Sequence, residues 1–176
     1  EDVGLVDEVD LVVAGGIRNG GDVAKCLALG AKACALGTAA LMALNCNKHI
    51  EGVTDYEGTI GVPAGECYHC HTGRCPVGVA TQDVELRARL DVDEAALRVY
   101  NFLHTLTMEV QLLARACGKT NIHSLEPEDL AALTHEASAM AKVPLAGTTY
   151  IPGVSEERAL AEMKDLMAKQ IIGSGG

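Results

Sequence analysis

The stretch Val9–Cys46, VDLVVAGGIRNGGDVAKCLALGAKACALGTAALMALNC, decides the fold. Leu11–Ala14 is a short, unbroken apolar run, the signature of a strand buried on both faces of a parallel sheet. Gly15-Gly16 ends it, and a polar turn, Arg18-Asn19-Gly20-Gly21, follows. Asp22 then opens a helix expected to bury Val23, Cys26, Leu27 and Leu29, with Gly30 as its stop. Ala33–Leu36 is a second apolar strand, closed by Gly37-Thr38, and Ala39–Leu44 reads as another helix. The order β-α-β-α at this spacing belongs to a (β/α) barrel or a doubly wound sheet.

The glycines that follow each strand have a chemical use. Without a Cβ the backbone can approach a phosphate closely, and the N–H groups at the next helix start offer donors and a positive dipole end. In TIM barrels such a site commonly lies between the loops after strands seven and eight. Gly15-Gly16 after one strand, with Gly37-Thr38 after the next, fit that arrangement. Tight βα turns alone would also use glycine there. Two strands cannot close a barrel of eight strands and ~250 residues. The chain is therefore expected to be the C-terminal portion of a longer polypeptide, or to be completed by other chains.

Composition narrows the function classes. The 176 residues carry 14 basic and 24 acidic side chains, a formal charge of −10, and their basic residues do not cluster. Nucleic acid, whose phosphates demand clustered Lys and Arg, is an unexpected partner. No apolar run approaches the ~20 residues of a membrane span, and no signal peptide opens the sequence. A cytoplasmic protein is expected. With 48% hydrophobic residues, one Phe and no Trp, its core should be built of Ala, Leu and Val.

Seven cysteines without secretory features argue against disulfides. Cys26, Cys34 and Cys117 stand singly in apolar patterns and read as buried small hydrophobes. Cys67, Cys70 and Cys75 instead crowd into GECYHCHTGRCPVG (Gly65–Gly78), and Cys46 ends the helix upstream. A zinc site would need a second CxxC pair or spaced histidines. A cysteine followed directly by proline, as in Cys75-Pro76, ends ferredoxin-type runs. An iron–sulfur cluster is the preferred reading, ahead of zinc and of redox-active thiols. His69 and His71 are read as neighbours of the sulfurs rather than ligands.

The segments AGGIRNGGDVAKCLALGA, ALGTAALMALNC and CHTGRCPVGVATQ resemble the end of the synthase domain of glutamate synthase large subunits, over about residues 8–150. The resemblance implies an FMN-binding (β/α)8 barrel with an adjoining iron–sulfur cluster. It implies that Gly15, Gly16, Arg18, Gly37 and Thr38 hold the FMN phosphate. It also implies that Cys46, Cys70 and Cys75 bind a three-iron, four-sulfide cluster. Two departures stand out: the excursion after Cys46 is longer than the family pattern, and it adds Cys67. Cys67 would convert the cluster to a four-iron form as a fourth ligand, or replace Cys46. TMEVQLLARACGK, LEPEDLAALTHEASAMAKVPLAGT and IPG are closer to a branch that includes the large subunit of N-methylglutamate synthase.

The expected fold is thus α/β: residues 1–45 form the last two βα units of a barrel, 46–82 an iron–sulfur loop, 83–150 a helical extension and 151–176 a tail. Asp91-Val92-Asp93-Glu94 resembles a capping box. It precedes a long helix with an apolar stripe at Ala96, Val99, Leu103, Leu106, Val110, Leu113 and Cys117, stopped by Gly118. Pro127 suits the first turn of a helix running towards Met140, and a short amphipathic helix is expected from Val154 onward. His104, His123 and His135 are isolated and receive no catalytic role. By resemblance the function is FMN- and iron–sulfur-dependent reduction of 2-iminoglutarate, formed from 2-oxoglutarate and ammonia, to L-glutamate. Electrons would come from a donor subunit or ferredoxin, and the 2-oxoacid would be bound by earlier strands. The alternatives are N-methylglutamate synthesis from methylamine, and a non-catalytic, metal-stabilised subunit.

Overall fold

The computed structural model describes residues 8–48 and 69–152. It divides between Ser124 and Leu125 into two compact units. In the first, β1 (Val12–Ala14) pairs in parallel with β2 (Ala33–Ala35), with Val12 opposite Ala33, Val13 opposite Cys34 and Ala14 opposite Ala35. Helix α1 (Gly20–Ala28) connects them and α2 (Thr38–Ala43) follows β2. The chain is α/β with a small parallel sheet, an arrangement compatible with part of a (β/α) barrel. The strands are not buried on both faces as their apolar runs suggested. Val12 is 59% exposed and Leu11 52%, because a two-strand sheet offers nothing to cover them among the described residues.

Helix α1 starts two residues earlier than Asp22. Asn19 is the true N-cap, its side chain accepting the Asp22 N–H at 3.0 Å. Gly30, in the left-handed region at φ +98°, ends the helix as expected. The Lys32 N–H then donates to the Leu11 carbonyl at 2.8 Å and returns the chain to β1. Val23, Ala24, Leu27 and Ala28 are buried, whereas Leu29 is exposed and Cys26 half-buried.

Beyond the undescribed segment, the short helix α3 (Val84–Arg87) is capped by Asp83 and the long helix α4 (Val92–Ala116) by Asp91. Asp91 accepts the Glu94 N–H at 2.9 Å, the N-cap bond the D-x-x-E pattern anticipates. Helix α4 packs along α1 and α2. Its buried residues are Ala95, Leu106, Val110 and Ala114, so the expected stripe holds in part: Leu106 and Val110 are buried and Val99 is half-buried, whereas Ala96, Leu103, Leu113 and Cys117 are exposed. The two helices approach closely where Leu106 and Val110 face α1. At Gly20 an added Cβ would collide with Glu109 Cβ, and would lie 2.8 Å from the Leu106 carbonyl oxygen and 2.9 Å from the Val110 nitrogen. A seam this tight leaves room only for glycine on the α1 side.

Cys117 is therefore not a buried hydrophobe. Nor does Cys34 stand alone: burial first, then the neighbouring Cys26, push its thiol above the ordinary value of 9.0. Both Cys26 and Cys34 are half-buried.

The second unit departs from a single helix reaching Met140. Pro127–Asp129 forms one 3-10 turn, with the Glu126 N–H bonded to Asp129 Oδ2 at 3.0 Å. Leu130 is extended, and an isolated parallel bridge joins Ala132 to Leu145. Thr134 begins a fresh helix, α5 (His135–Ala141), by accepting the Ala137 N–H at 3.1 Å. The short polar side chain of Thr134 offered the backbone a new start. Buried Ser138 donates its hydroxyl to the Val143 carbonyl at 2.6 Å. The amphipathic tail expected after Val154 and the thiol Cys67 lie outside the described residues.

Candidate functional site

The two glycine corners meet. Gly15, Gly16 and Arg18 after β1, and Gly37 and Thr38 after β2, line one cavity of about 840 Å³, together with Met42 and Ala43 of α2 and Phe102 of α4. Gly15 and Gly16 hold φ of +108° and +68°, conformations that cost other residues dearly. A Cβ added at Gly15, Gly16 or Gly37 would meet no atom within 4 Å. These glycines therefore do not relieve crowding within the described protein; what they leave is open space on the backbone. Helices α1, α3, α4 and α5 are each capped by their own Asn, Asp or Thr side chain, but α2 begins at Gly37 with no side-chain cap. Its first N–H groups lack intrahelical partners and sit at the cavity.

Asp22 bonds Arg18 through both its backbone and its exposed side chain. The Arg18 N–H donates to Asp22 Oδ2 at 3.1 Å and Nε reaches the same oxygen at 3.4 Å. That backbone hydrogen bond, followed by the side-chain bond and charge of Arg18, holds the Asp22 carboxyl below its ordinary value of 3.8. Sequence reasoning missed this role of Asp22, although an acidic residue four positions beyond Arg18 in a first helical turn was a legible signal. It also missed Glu109, whose Oε2 accepts the Gly20 N–H at 2.7 Å across 89 residues of sequence. No local pattern announces that contact.

The thiols are placed differently. Asn45, at φ +74°, ends α2, and the Cys46 N–H closes back onto the Leu41 carbonyl at 3.1 Å. Cys70 is exposed on the 3-10 turn His69–Thr72, whereas Cys75 is buried. The turn after Cys75 is well braced: the Gly78 N–H bonds the Cys75 carbonyl at 3.2 Å, and Arg89 Nη1 donates to the Pro76 carbonyl at 2.9 Å. Leu44 and Asn45, just before Cys46, share a cavity of about 10 Å³ with Val77, two residues past Cys75, and with Arg89. The flanks of the excursion thus come together. Among the described residues, no three His, Cys, Asp or Glu side chains gather as a metal site. Of the isolated histidines, His104 stacks on Tyr100 with centroids 5.8 Å apart, and His135 meets Tyr150 edge-on at 6.5 Å.

The model of the conserved region in glutamate synthase matches residues 1–120. The chain belongs to the glutamate synthase family. It is 54% identical over 154 residues to a glutamate synthase large subunit-like protein of Rhizobium meliloti, covering 87% of this chain and 34% of that protein. It is 39% identical over 122 residues to an archaeal NADPH glutamate synthase of Methanocaldococcus jannaschii, covering 69% of this chain and 20% of the relative. A ferredoxin-dependent glutamate synthase of Pyropia yezoensis is 36% identical over 107 residues, which make up 60% of this chain and 6% of that protein. The chain thus spans about a third or less of the length of these relatives. No solved structure matches it. Among the described residues, no helix is long and apolar enough to cross a membrane.

Proposed function

We propose that the chain is the phosphate-binding end of a glutamate synthase-type oxidoreductase, a cytoplasmic enzyme that uses FMN and an iron–sulfur cluster to reduce 2-iminoglutarate to L-glutamate. The carrying observation is that Gly15, Gly16, Arg18, Gly37 and Thr38, drawn from two separate turns, line one cavity. Their chemistry fits a phosphate: side-chain-free backbone on two corners, the uncapped start of α2, and one guanidinium whose Nε reaches Asp22 at 3.4 Å. With Nε engaged by Asp22, the terminal amino groups of Arg18 are the part that can turn to the ligand. When bound, the flavin supplies hydride transfer to the imine. This chain's residues anchor the phosphate and so orient the cofactor. On this reading β1 and β2 are the last two strands of a (β/α)8 barrel whose remaining strands cover the exposed apolar residues.

Cys46, Cys70 and Cys75, with Cys67, are the proposed ligands of the cluster. The approach of the Cys46 and Cys75 flanks supports the set, although the described thiols do not converge. An electron-donating subunit or ferredoxin is the proposed partner. The test uses the full-length protein that contains this chain. The released flavin should be FMN, iron and sulfide should be present, and glutamate should form from 2-oxoglutarate and ammonia with a chemical reductant. Zinc without iron removes the cluster assignment; protein devoid of flavin removes the phosphate site.

A further inference from the structure

We propose that the outward face of α4 is a self-docking surface, on which a second copy of this chain lays its own α4 antiparallel about a two-fold axis at His104.

Helix α4 turns Ala95, Leu106, Val110 and Ala114 inward and packs along α1 and α2. Its opposite side carries a second apolar stripe: Leu97, Tyr100, Met108 and Leu112 are 60, 63, 54 and 65% exposed. Single exposed apolar residues need no explanation, but four on one face of one helix form a patch. The sheet packs against α1, so α4 forms a layer beyond it. Strands added beside β1 or β2 would extend the sheet rather than cover the far side of α4.

The face is complementary to itself. Counting outward from His104, Tyr100 and Met108 are four positions away, Leu97 and Gln111 seven, and Asp93 and Arg115 eleven. Eleven residues are close to three helical turns, so all of these share one side. In an antiparallel copy Tyr100 meets Met108, ring against thioether. Leu97 meets the stem of Gln111 and the neighbouring Leu112. At each end Asp93 comes opposite Arg115, both exposed, and the two-fold axis makes every pair twice. A parallel pairing would instead oppose Asp93 to Asp93 and Arg115 to Arg115, so the charges select the antiparallel register.

The centre of the face is already ordered. The Tyr100 and His104 rings stack at 5.8 Å between centroids and 6° between planes, so little side-chain freedom is lost on docking. Arg115 Nε donates to the Gln111 carbonyl at 3.1 Å, which leaves the terminal amino groups as the part that reaches a carboxylate. One helix face against another is a small interface, about 1,000 Å² in total, so the dimer should form at micromolar rather than nanomolar concentration.

The experiment is sedimentation equilibrium on the full-length protein that contains this chain. The unmodified protein should be a dimer at about 100 μM and dissociate on dilution. Tyr100→Glu should weaken the dimer by roughly a hundredfold and Asp93→Arg by roughly tenfold or more. Asp93→Arg combined with Arg115→Asp should return to within about threefold of the parent. The double variant adds to, rather than relieves, the unfavourable charge at the helix ends, so recovery cannot come from better folding and keeps the test decisive if Tyr100→Glu does not fold. A monomeric parent at 100 μM overturns the proposal, whether another segment or another protein covers the face. So does a dimer that Tyr100→Glu and Asp93→Arg leave intact, or a double variant no tighter than Asp93→Arg alone.

Discussion

Replacing Gly20 with alanine sets two effects of opposite sign against each other. Gly20 opens α1 without a left-handed backbone, so helix propensity and unfolded-state entropy alone would favour alanine by about 0.4–1 kcal/mol. Packing opposes this. The new methyl would meet Glu109 Cβ and two backbone atoms of α4, the Leu106 oxygen at 2.8 Å and the Val110 nitrogen at 2.9 Å. Backbone cannot swing aside as a side chain can, and overpacking of this kind costs about 1–3 kcal/mol. Pushing α4 away also stretches the 2.7 Å bond from the Gly20 N–H to Glu109, a charge-assisted bond of about 1.5–3 kcal/mol. The net is a loss of about 2 kcal/mol or more, roughly 30-fold in a local opening equilibrium. Hydrogen exchange on the full-length protein reads this directly, as faster exchange of α1 and α4 amides. Glu109→Gln, which keeps the shape and removes the charge, should give a smaller acceleration at the start of α1. Protection in Gly20→Ala equal to or above that of the parent would refute the claim that close packing governs this seam.

Three further outcomes follow from the same contacts. Because the Asp22 carboxyl is held below 3.8 by the Arg18 N–H, its stabilisation is fully present above that value and is lost as pH falls through the lowered one. NMR titration should find Asp22 ionised below pH 3.8, Asp22→Asn should abolish the acid loosening of the Gly15–Arg18 corner, and an Asp22 value at or above 3.8 would contradict the geometry. Asn45→Ala forces φ +74° on a residue with a plain methyl side chain and should cost about 1–2 kcal/mol, whereas Asn45→Gly should be close to neutral; exchange rates at the Cys46 amide, bonded to Leu41, distinguish the two. Ser138→Ala removes a fully buried donor and leaves the Val143 carbonyl without it, which should cost the second unit about 1–3 kcal/mol and speed exchange around α5.

Local features could be read directly from the order of residues. The apolar runs, Gly30 and Gly118 as helix stops, Asp91 as a cap and the glycines after each strand were legible because each acts within a few residues of its position. The pairing of both corners in one cavity was also within reach, since parallel strands place their C-terminal loops on the same edge. Tertiary structure decided the rest. How much of the α4 stripe is buried turned on its docking against α1 and α2, which covers Leu106 and Val110 and leaves Leu103 and Leu113 exposed. The break at Leu130 and the restart at Thr134 arose where a side chain competed with the backbone ladder. Glu109 at the head of α1 and Phe102 at the cavity wall became visible only once α4 was laid across α1 and α2. Contacts between residues tens of positions apart depend on how rigid bodies dock, and side-chain order along the chain carries no measure of that.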